Sequence, residues 1–225
     1  MRTLRSYVAA IPCFVWFCTK ALACDLALIM AVDVSGSVDQ QEFATQMRGL
    51  SEGLRDPEVS NALIAGQAAL MVVQWTGASR QDVLVPWSVI DGPEVLAVFA
   101  EDTENAQRRW RNFSTAIGEA LQFSAAQFSD APACTRRVID ISGDGSSNEG
   151  VDPKDVRDLL GQLGIVVNAL VIEGAEENII EYFLQNVISG NGSFVITATS
   201  YNEYPEKMRL KLLREIAKQV ASNSE

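Results

Sequence analysis

Residues 25–37 read DLALIMAVDVSGS, an apolar run that ends in a cluster of acidic, hydroxyl and glycine residues. The nearly continuous apolar character of residues 25–33 is typical of a strand buried on both faces of a parallel sheet. Ser35 and Ser37 alternate along the chain, so in an extended loop both hydroxyls point to the same side, while Gly36 lets the backbone turn. The stretch therefore predicts a buried strand with a polar site at its carboxyl end.

Short apolar runs alternate with amphipathic stretches along the rest of the chain, a pattern typical of a mainly parallel sheet covered by helices on both faces. Five further strands are predicted at residues 68–75, 83–87, 137–142, 165–172 and 193–197. Pro86 favours an edge position for the third strand, which follows the second closely enough to form a hairpin. We expect one doubly wound α/β domain with six strands, of which one edge strand is antiparallel.

Helices are predicted between these strands over residues 38–54, 93–101, 115–128 and 176–188, and from residues 153 and 200 onward. The first is expected to end at Asp56-Pro57, because proline does not continue a helix. Ser200 and Glu203 have the spacing of a capping box, which predicts the start of the last helix. A four-residue repeat on that helix predicts a stripe facing the core, formed by Tyr204, Met208, Leu212, Ile216 and Val220.

The first 23 residues have the pattern of a removable leader. Arg2 and Arg5 precede an apolar run over residues 7–18, and Ala21-Leu22-Ala23 supplies the small residues that signal peptidases accept. We expect cleavage after Ala23, which leaves a single domain over residues 24–225.

Two other interpretations of the leader remain open. An uncleaved membrane anchor requires about 20 apolar residues, whereas this run is shorter and is interrupted by Pro12 and Lys20. A lipoprotein acylated at Cys24 is the second, although Ala21 and Leu22 match poorly the residues that usually precede a lipidated cysteine.

The chain is strongly acidic, and this excludes several kinds of partner. The formal net charge is −11, and removal of a leader with three basic and no acidic residues lowers it to −14. Such a surface repels nucleic acid and anionic lipid, and we expect no stable membrane insertion after the leader is removed. Arg108, Arg109 and Arg111 form a basic stretch beside Trp110, which we expect to be a solvated loop near the site.

The histidine and cysteine counts narrow the chemistry further. The chain has no histidine, which removes the usual general base, the Ser-His triad and most zinc or copper sites. Cys13 and Cys18 belong to the leader, so an exported chain retains only Cys24 and Cys134, in a compartment where disulfides persist. A single bridge is therefore expected.

Three polar clusters follow predicted strands or precede a predicted helix, in the region where sheets of this kind bind ligands. They are residues 33–37, Ser114-Thr115 and residues 142–145. Carboxylate and hydroxyl oxygens suit a hard cation such as Mg²⁺, with Mn²⁺ or Ca²⁺ as the alternatives. The sequence thus predicts a divalent-metal site formed by these three clusters.

Each part of this set also has an ordinary structural explanation. Ser37 and Gln40 have the spacing of a capping box, so Ser37 could simply begin a helix. Thr115 is a common residue at a helix start, and Asp144 lies between two glycines, as in a turn. Only their joint occurrence, in order, favours a metal site.

The spacing Asp33-x-Ser35-x-Ser37, Thr115 in a Thr-Ala-Ile-Gly-Glu-Ala-Leu run and Asp144 after an apolar strand resemble the metal-ion-dependent adhesion site of von Willebrand factor type A domains. The resemblance extends over nearly the whole chain after the leader. It is strongest to a group of exported bacterial members of unknown function. That group shares Gln74-Trp75, the VIDISGDG stretch at residues 138–145 and the KLLREI stretch at residues 211–216.

The resemblance implies a role for each site residue. Ser35 and Ser37 would bind the cation through their hydroxyls, Thr115 would bind it directly or through water, and Asp33 and Asp144 would hold coordinated waters. An acidic side chain of a partner protein would take the sixth position. Many relatives have glycine before the threonine, whereas this chain has Ser114, which could share or replace the role of Thr115.

The same resemblance implies that Cys24 and Cys134 begin neighbouring strands, so we expect a disulfide between them, far from the metal. It implies a non-catalytic, metal-dependent protein-binding module in the periplasm or outside the cell. A hydrolase that uses the metal to activate water and a metal-free scaffold are the alternatives. The chain lacks both a Gly-x-Ser-x-Gly elbow and a phosphate-binding Gly-x-x-x-x-Gly-Lys-Ser/Thr loop, which disfavours the hydrolase.

Overall fold

A six-stranded sheet forms the centre of the molecule. The computed structural model describes residues 24–174 and 176–222, and only the backbone of residues 218–222. The predicted leader, residues 1–23, therefore lies outside the described residues. The strands are β1 (Cys24–Asp33), β2 (Ala69–Trp75), β3 (Gln81–Val89), β4 (Cys134–Gly143), β5 (Ile165–Ile172) and β6 (Val195–Ala198).

Helices connect these strands across both faces of the sheet. They are α1 (Gln40–Arg55), α2 (Pro57–Ala65), α3 (Pro93–Glu104), α4 (Ile117–Gln127), α5 (Pro153–Gln162), α6 (Ile179–Asn186) and α7 (Tyr204–Ser222), the last preceded by a 3-10 turn, Tyr201–Glu203. No helix within the described residues has the length and apolarity needed to cross a membrane.

The strand order is β3-β2-β1-β4-β5-β6, with β1 and β4 at the centre. All pairs are parallel except β2 with β3, so the predicted antiparallel edge strand is confirmed. The register of β2 and β3 shifts near Pro86, which is consistent with a residue that cannot donate to the ladder.

The sheet separates two apolar layers, because successive side chains of a strand point to opposite faces. In β1, Leu26, Leu28 and Met30 pack with α1, α3 and α7. Ala31 of β1 instead faces the layer formed by α4, α5 and α6. The predicted core stripe of α7 is buried at its first four positions, and the side chain of Val220 lies outside the described residues.

The starts of three helices differ from the predictions. Asp39, not Ser37, caps α1, because its carboxylate accepts hydrogen bonds from the amides of Gln41 and Glu42. Ser200 makes no capping bond, and Glu203 accepts a hydrogen bond from the amide of Thr199 instead.

Helix α6 begins later than predicted, after Asn178, whose left-handed backbone (φ 64°) cannot lie inside a helix. Helix α2 was not predicted at all. Asp56-Pro57 does end α1, but Asp56 also caps α2 and Pro57 occupies its first position, where a missing amide hydrogen costs nothing.

The disulfide joins Cys24 and Cys134, the first residues of neighbouring strands, with their Cα atoms 4.4 Å apart. It therefore ties β1 to β4 at the amino edge of the sheet. The predicted metal-site residues lie at the opposite, carboxyl edge. The bridge can stabilise the central pair of strands without touching the site.

Buried charges anchor α7 to the sheet. Lys211 Nζ lies 2.6 Å from Asp140 Oδ1, and both side chains are only 1% exposed. One turn further, Glu215 Oε2 lies 2.8 Å from Arg136 Nη2 and Glu215 also accepts a hydrogen bond from Asn168. The KLLREI stretch thus supplies a basic and an acidic residue that pair with opposite charges from the sheet. We call these four charged residues (Arg136, Asp140, Lys211 and Glu215) the helix anchor.

Candidate metal centre

The three polar clusters meet at the carboxyl edge of the sheet, because β1 and β4 are adjacent and parallel. The β1–α1 loop carries Asp33, Ser35 and Ser37, and the β4–α5 loop begins with Asp144. The two loops are joined directly, since the hydroxyl of Ser37 donates a hydrogen bond to Asp144 Oδ1 at 2.6 Å. Ser37 therefore contacts the second acid of the predicted site rather than capping a helix.

The β1–α1 loop is folded tightly around the carboxylate of Asp33. Asp33 Oδ1 accepts a hydrogen bond from the amide of Ser35 at 2.7 Å, and the Ser35 and Ser37 hydroxyl oxygens are 3.2 Å apart. The amide of Gly36 donates to the carbonyl of Phe113 at 2.8 Å. A Cβ at position 36 would lie 3.2 Å from that carbonyl, so glycine permits the α3–α4 connection to approach the loop.

Asp33 carries an unsatisfied negative group. Its side chain is fully buried, and Oδ2 has no hydrogen-bond donor among the described residues. Burial, and then the nearby Asp144, raise the pKa of Asp33 to about 7, against the lowering effect of hydrogen bonds from Ser35 and of Arg108. A buried carboxylate oxygen without a donor is costly, and a cation bound beside it removes that cost. The site therefore fits a divalent ion.

Thr115, and not Ser114, faces the site. Thr115 lines the same cavity as Ser37 and Asp144, and it makes no capping bond to α4, whose N-cap is Ala116. Ser114 donates instead to the carboxylate of Glu149. Glu149 also accepts from the amide of Ala78, so Ser114 holds two loops together. The two neighbouring hydroxyls therefore differ in position, since Thr115 lines the cavity and Ser114 contacts Glu149.

Arg108 departs from the prediction of a solvated loop. Its guanidinium is partly buried and donates hydrogen bonds to the carbonyls of Val34 and Ser35, both at 3.0 Å. Arg109 and Arg111 are exposed, as expected. Gln74 fixes the same connection, because its side-chain oxygen accepts a hydrogen bond from the amide of Arg109 at 2.9 Å. Gln74-Trp75, which the chain has in common with the exported bacterial group that it resembles, was the sequence signal that could have indicated the contact between Gln74 and Arg109.

Tyr201 is a site residue that the sequence did not indicate. Its hydroxyl donates to Asp144 Oδ2 at 2.9 Å, so that Ser37 and Tyr201 hold the two oxygens of one carboxylate. Burial, followed by the effect of Asp144, raises the pKa of Tyr201 above its ordinary value. Tyr201 belongs to the 3-10 turn before α7, so it connects the start of that helix to the site.

These residues open into a cavity of about 640 Å³. Ser37, Thr115 and Asp144 lie on its wall, and the buried Ser35 hydroxyl contacts the Ser37 hydroxyl behind that wall. Within residues 24–174 and 176–222, no three Cys, Asp or Glu side chains are grouped as metal ligands. The oxygen set therefore consists of hydroxyls beside two carboxylates, which suits a hard ion that keeps some of its water.

A six-stranded, mainly parallel sheet with helices on both faces and one antiparallel edge strand defines a von Willebrand factor type A-like domain, as the resemblance implied. The chain belongs to the family described as "Protein of unknown function (DUF1194)", whose model matches residues 23–220. None of the curated proteins matches this chain.

Solved structures share this fold at low sequence identity. Proximal thread matrix protein 1 from the mussel byssus superposes with a TM-score of 0.66 at 19% identity, over 84% of this chain and 47% of that one. A second structure of the same protein, described as having a zinc-occupied MIDAS motif, gives a TM-score of 0.58 at 16% identity, over 85% and 46% of the two chains.

Two bacterial structures are also similar. The von Willebrand factor type A protein from Catenulispora acidiphila gives a TM-score of 0.60 at 18% identity, over 86% of this chain and 43% of that one. The pilus adhesin SpaC from Lactobacillus rhamnosus GG gives 0.62 at 12%, over 87% and 30%. The chain thus spans less than half the length of each of these proteins.

Proposed function

We propose that the chain is an exported, non-catalytic module that binds a protein partner through a divalent cation. The cation would coordinate an acidic side chain of that partner. The observation that carries the proposal is the buried Asp33 carboxylate beside Asp144, with one oxygen that meets no donor among the described residues. Two carboxylates roughly balance a 2+ ion, so a third carboxylate from a partner becomes acceptable only when the ion is present.

The site residues divide into two roles. The hydroxyls of Ser35, Ser37 and Thr115 would hold the ion, while Asp33 and Asp144 would bind its waters. Mg²⁺ is the preferred ion, and Mn²⁺ or Ca²⁺ share its preference for oxygen ligands. The zinc-occupied motif of the mussel protein supports divalent binding by this fold.

Two further properties support export and the absence of catalysis. A disulfide ties the central strands, and disulfides persist mainly outside the cytoplasm. The predicted leader over residues 1–23 agrees with export. The chain has no histidine to act as a general base beside the metal, which favours binding over hydrolysis.

Thermal unfolding tests the metal site. An ion that binds only the folded state stabilises it by about 2.7 kcal/mol at one hundred times its dissociation constant, which raises the melting temperature by roughly 5 to 10 °C. We expect this rise when Mg²⁺ replaces EDTA. Ser37→Ala should need about tenfold more Mg²⁺ for the same rise in melting temperature, because loss of a group that holds or orients a metal ligand commonly lowers metal affinity by about that factor.

Ser114→Ala is the matched control, because it removes a neighbouring hydroxyl that bonds Glu149 instead of lining the cavity. It should lower the melting temperature without changing the response to Mg²⁺. A wild-type melting temperature that millimolar Mg²⁺, Mn²⁺ and Ca²⁺ all leave unchanged would rule out the metal site.

Partner capture tests the second half of the proposal. Proteins retained on the immobilised chain in Mg²⁺ should elute with EDTA and should be lost with Asp33→Ala. A partner that Asp33→Ala retains as well as the wild type would show that docking takes place elsewhere.

A further inference from the structure

The cavity extends well beyond the oxygens that would hold the cation. Its far wall is formed by the β5–α6 connection and by the residues that precede α7. Glu173 and Glu176 lie on that wall, and Glu42 of α1 lines the cavity as well. An adjoining cavity of about 460 Å³ shares Glu173 and Glu176 and adds Glu177 and Glu181. The partner must therefore meet an acidic wall as well as the cation.

The charge of this wall is not balanced by an ion pair with any described residue. None of the ion pairs formed by the described residues includes Glu42, Glu173 or Glu176. Glu176 and Glu42 accept hydrogen bonds from the amides of Ser146 and Asp39, which orient the carboxylates but leave their charge in place. Glu173 is exposed to solvent.

Among the described residues, no Lys or Arg lines the cavity. The Arg80 guanidinium lies 4.0 Å from the ring centre of Phe113, a partly exposed residue that lines the cavity. Arg111 reaches the side-chain oxygen of Gln40 at 3.2 Å. Beyond Asp144, the charged residues that line the cavity are therefore all acidic, namely Glu42, Glu173 and Glu176.

This excess of acidic residues restricts the chemistry of the partner, because the bound cation would balance only Asp33 and Asp144. A partner that offered a bare carboxylate would add negative charge beside three further acids, and like charges placed together disfavour binding. A partner that carries a positive side chain next to its carboxylate removes this repulsion and gains attraction. The carboxylate would meet the ion, and the positive group would face Glu173 and Glu176.

We infer that the partner is a protein segment that carries a Lys or Arg within a few residues of the Asp or Glu that coordinates the cation. This inference rests on the proposed function, since it assigns the ligand class of the same site. It adds a second requirement, a basic neighbour, which the cation alone does not impose.

Short immobilised peptides test the inference. Each carries a central Asp, and the flanking position holds Lys, Arg, Ala or Glu in an otherwise uncharged sequence. We expect wild-type protein in Mg²⁺ to bind the Lys and Arg peptides about tenfold more tightly than the Glu peptide, and EDTA to abolish binding to all of them. Added salt should reduce the difference, because exposed charges are screened.

Glu173→Gln/Glu176→Gln identifies the residues responsible. Glutamine keeps an acceptor for the Ser146 amide, so the loop should hold its shape. This double variant should keep the Mg²⁺-dependent rise in melting temperature and lose most of the preference for basic neighbours. Glu58→Gln/Glu94→Gln is the control, because both acids are exposed, start α2 and α3 at the amino edge of the sheet, and give the same change in net charge.

Two results would overturn the inference, and they can be told apart. Equal Mg²⁺-dependent binding of all four peptides, or a preference that Glu173→Gln/Glu176→Gln retains, would reject the basic neighbour and leave the proposed function intact. An absence of Mg²⁺-dependent binding to every Asp peptide would reject coordination of a partner acid, and the inference would fail with it.

Discussion

Strand β4 carries one acid within the sheet, Asp140, and another immediately beyond it, Asp144, and their surroundings differ in kind. Asp140 is buried and meets the ammonium group of Lys211 at 2.6 Å. Asp144 is partly exposed, and among the described residues it is held by the hydroxyls of Ser37 and Tyr201. The first acid has its counter-ion within the chain, and the second has hydrogen bonds but no counter-ion among the residues that the structure describes.

The same contrast holds for the groups around each acid. The helix anchor contains two basic and two acidic residues in paired contact. At the candidate metal centre, the basic residue that acts on Asp33 is Arg108, which donates its hydrogen bonds to backbone carbonyls. Buried charge requires a partner. The charges of the anchor are therefore paired within it, whereas the described residues of the candidate centre carry excess negative charge that an added cation would balance.

Breaking the anchor should have the largest effect on stability. Lys211→Met leaves Asp140 buried without its counter-ion, and such losses cost about 3 to 5 kcal/mol of the free energy of unfolding. Urea unfolding in EDTA measures the change. Lys207→Met is the control, because Lys207 is 30% exposed and lies 4.0 Å from Glu203, a geometry worth at most about 1 kcal/mol.

A second substitution separates loss of the charge pair from loss of packing. Lys211→Met/Asp140→Leu removes both charges and should recover most of the stability, because apolar replacement of a buried pair is often neutral. A Lys211→Met protein as stable as the Lys207→Met protein would contradict the comparison.

The pH dependence of the metal-free protein should reveal the excess charge. Because the folded-state pKa of Asp33 is raised from 3.8 to about 7, the unfolded chain loses this proton first as pH rises. The protonated carboxyl therefore contributes its full stabilisation below about pH 4. This contribution decreases as the pH rises and is nearly gone at about pH 7. Between about pH 5 and about pH 8 the loss amounts to about 2 to 3 kcal/mol.

Asp33→Asn isolates this contribution, since its amide does not ionise. In EDTA, the wild-type free energy of unfolding should fall with rising pH by that amount relative to the variant. At about pH 8 in EDTA the wild type should be less stable than Asp33→Asn. Saturating Mg²⁺ should make the wild type the more stable of the two, because the ion favours the ionised carboxylate. If the free energies of unfolding of the two proteins changed in parallel with pH in EDTA, burial would not be raising the pKa of Asp33.

The fold could be predicted from the sequence because its signals are local. Apolar runs such as residues 25–33 mark buried strands wherever they occur, and all six strands were located. Helix α2 was missed because Asp56-Pro57 is both a stop signal for α1 and a start signal for the next helix. A local signal with two meanings cannot be resolved without the packing around it.

The candidate centre shows the same limit more clearly. Ser35 and Ser37 follow Asp33 directly, so their spacing was visible in the sequence. Arg108 contacts Val34 across 74 residues, and Tyr201 contacts Asp144 across 57. Those contacts depend on which loops the sheet order brings together, and no pattern within either segment specifies that order.

Arg108 provides a milder way to sharpen the comparison. It lowers the pKa of Asp33, but its hydrogen bonds go to carbonyls, so its loss should cost less than the loss of Lys211. Arg108→Met removes three hydrogen bonds, to the carbonyls of Val34, Ser35 and Trp110, and should lower the free energy of unfolding by about 1 to 2 kcal/mol in EDTA. Arg111→Met is the control, because Arg111 is exposed and contacts the Gln40 side chain. A cost for Arg108→Met as large as for Lys211→Met would mean that Arg108 is the counter-ion of the site.

The smallest effect on stability is expected at Tyr201, where it should coincide with a specific effect on the metal. Tyr201→Phe removes only the hydroxyl that donates to Asp144 Oδ2, so it should lower the free energy of unfolding by about 1 kcal/mol. Without that bond the Asp144 carboxylate is free to turn, and groups that orient metal-site residues commonly contribute about tenfold in affinity. Calorimetric titration with Mg²⁺ should show this loss.

Tyr182→Phe is the matched control, because its hydroxyl accepts a hydrogen bond from the Ser147 amide in the same β4–α5 loop. It should cost similar stability while leaving Mg²⁺ affinity unchanged, and equal Mg²⁺ affinities for the two variants would restrict Tyr201 to a structural role.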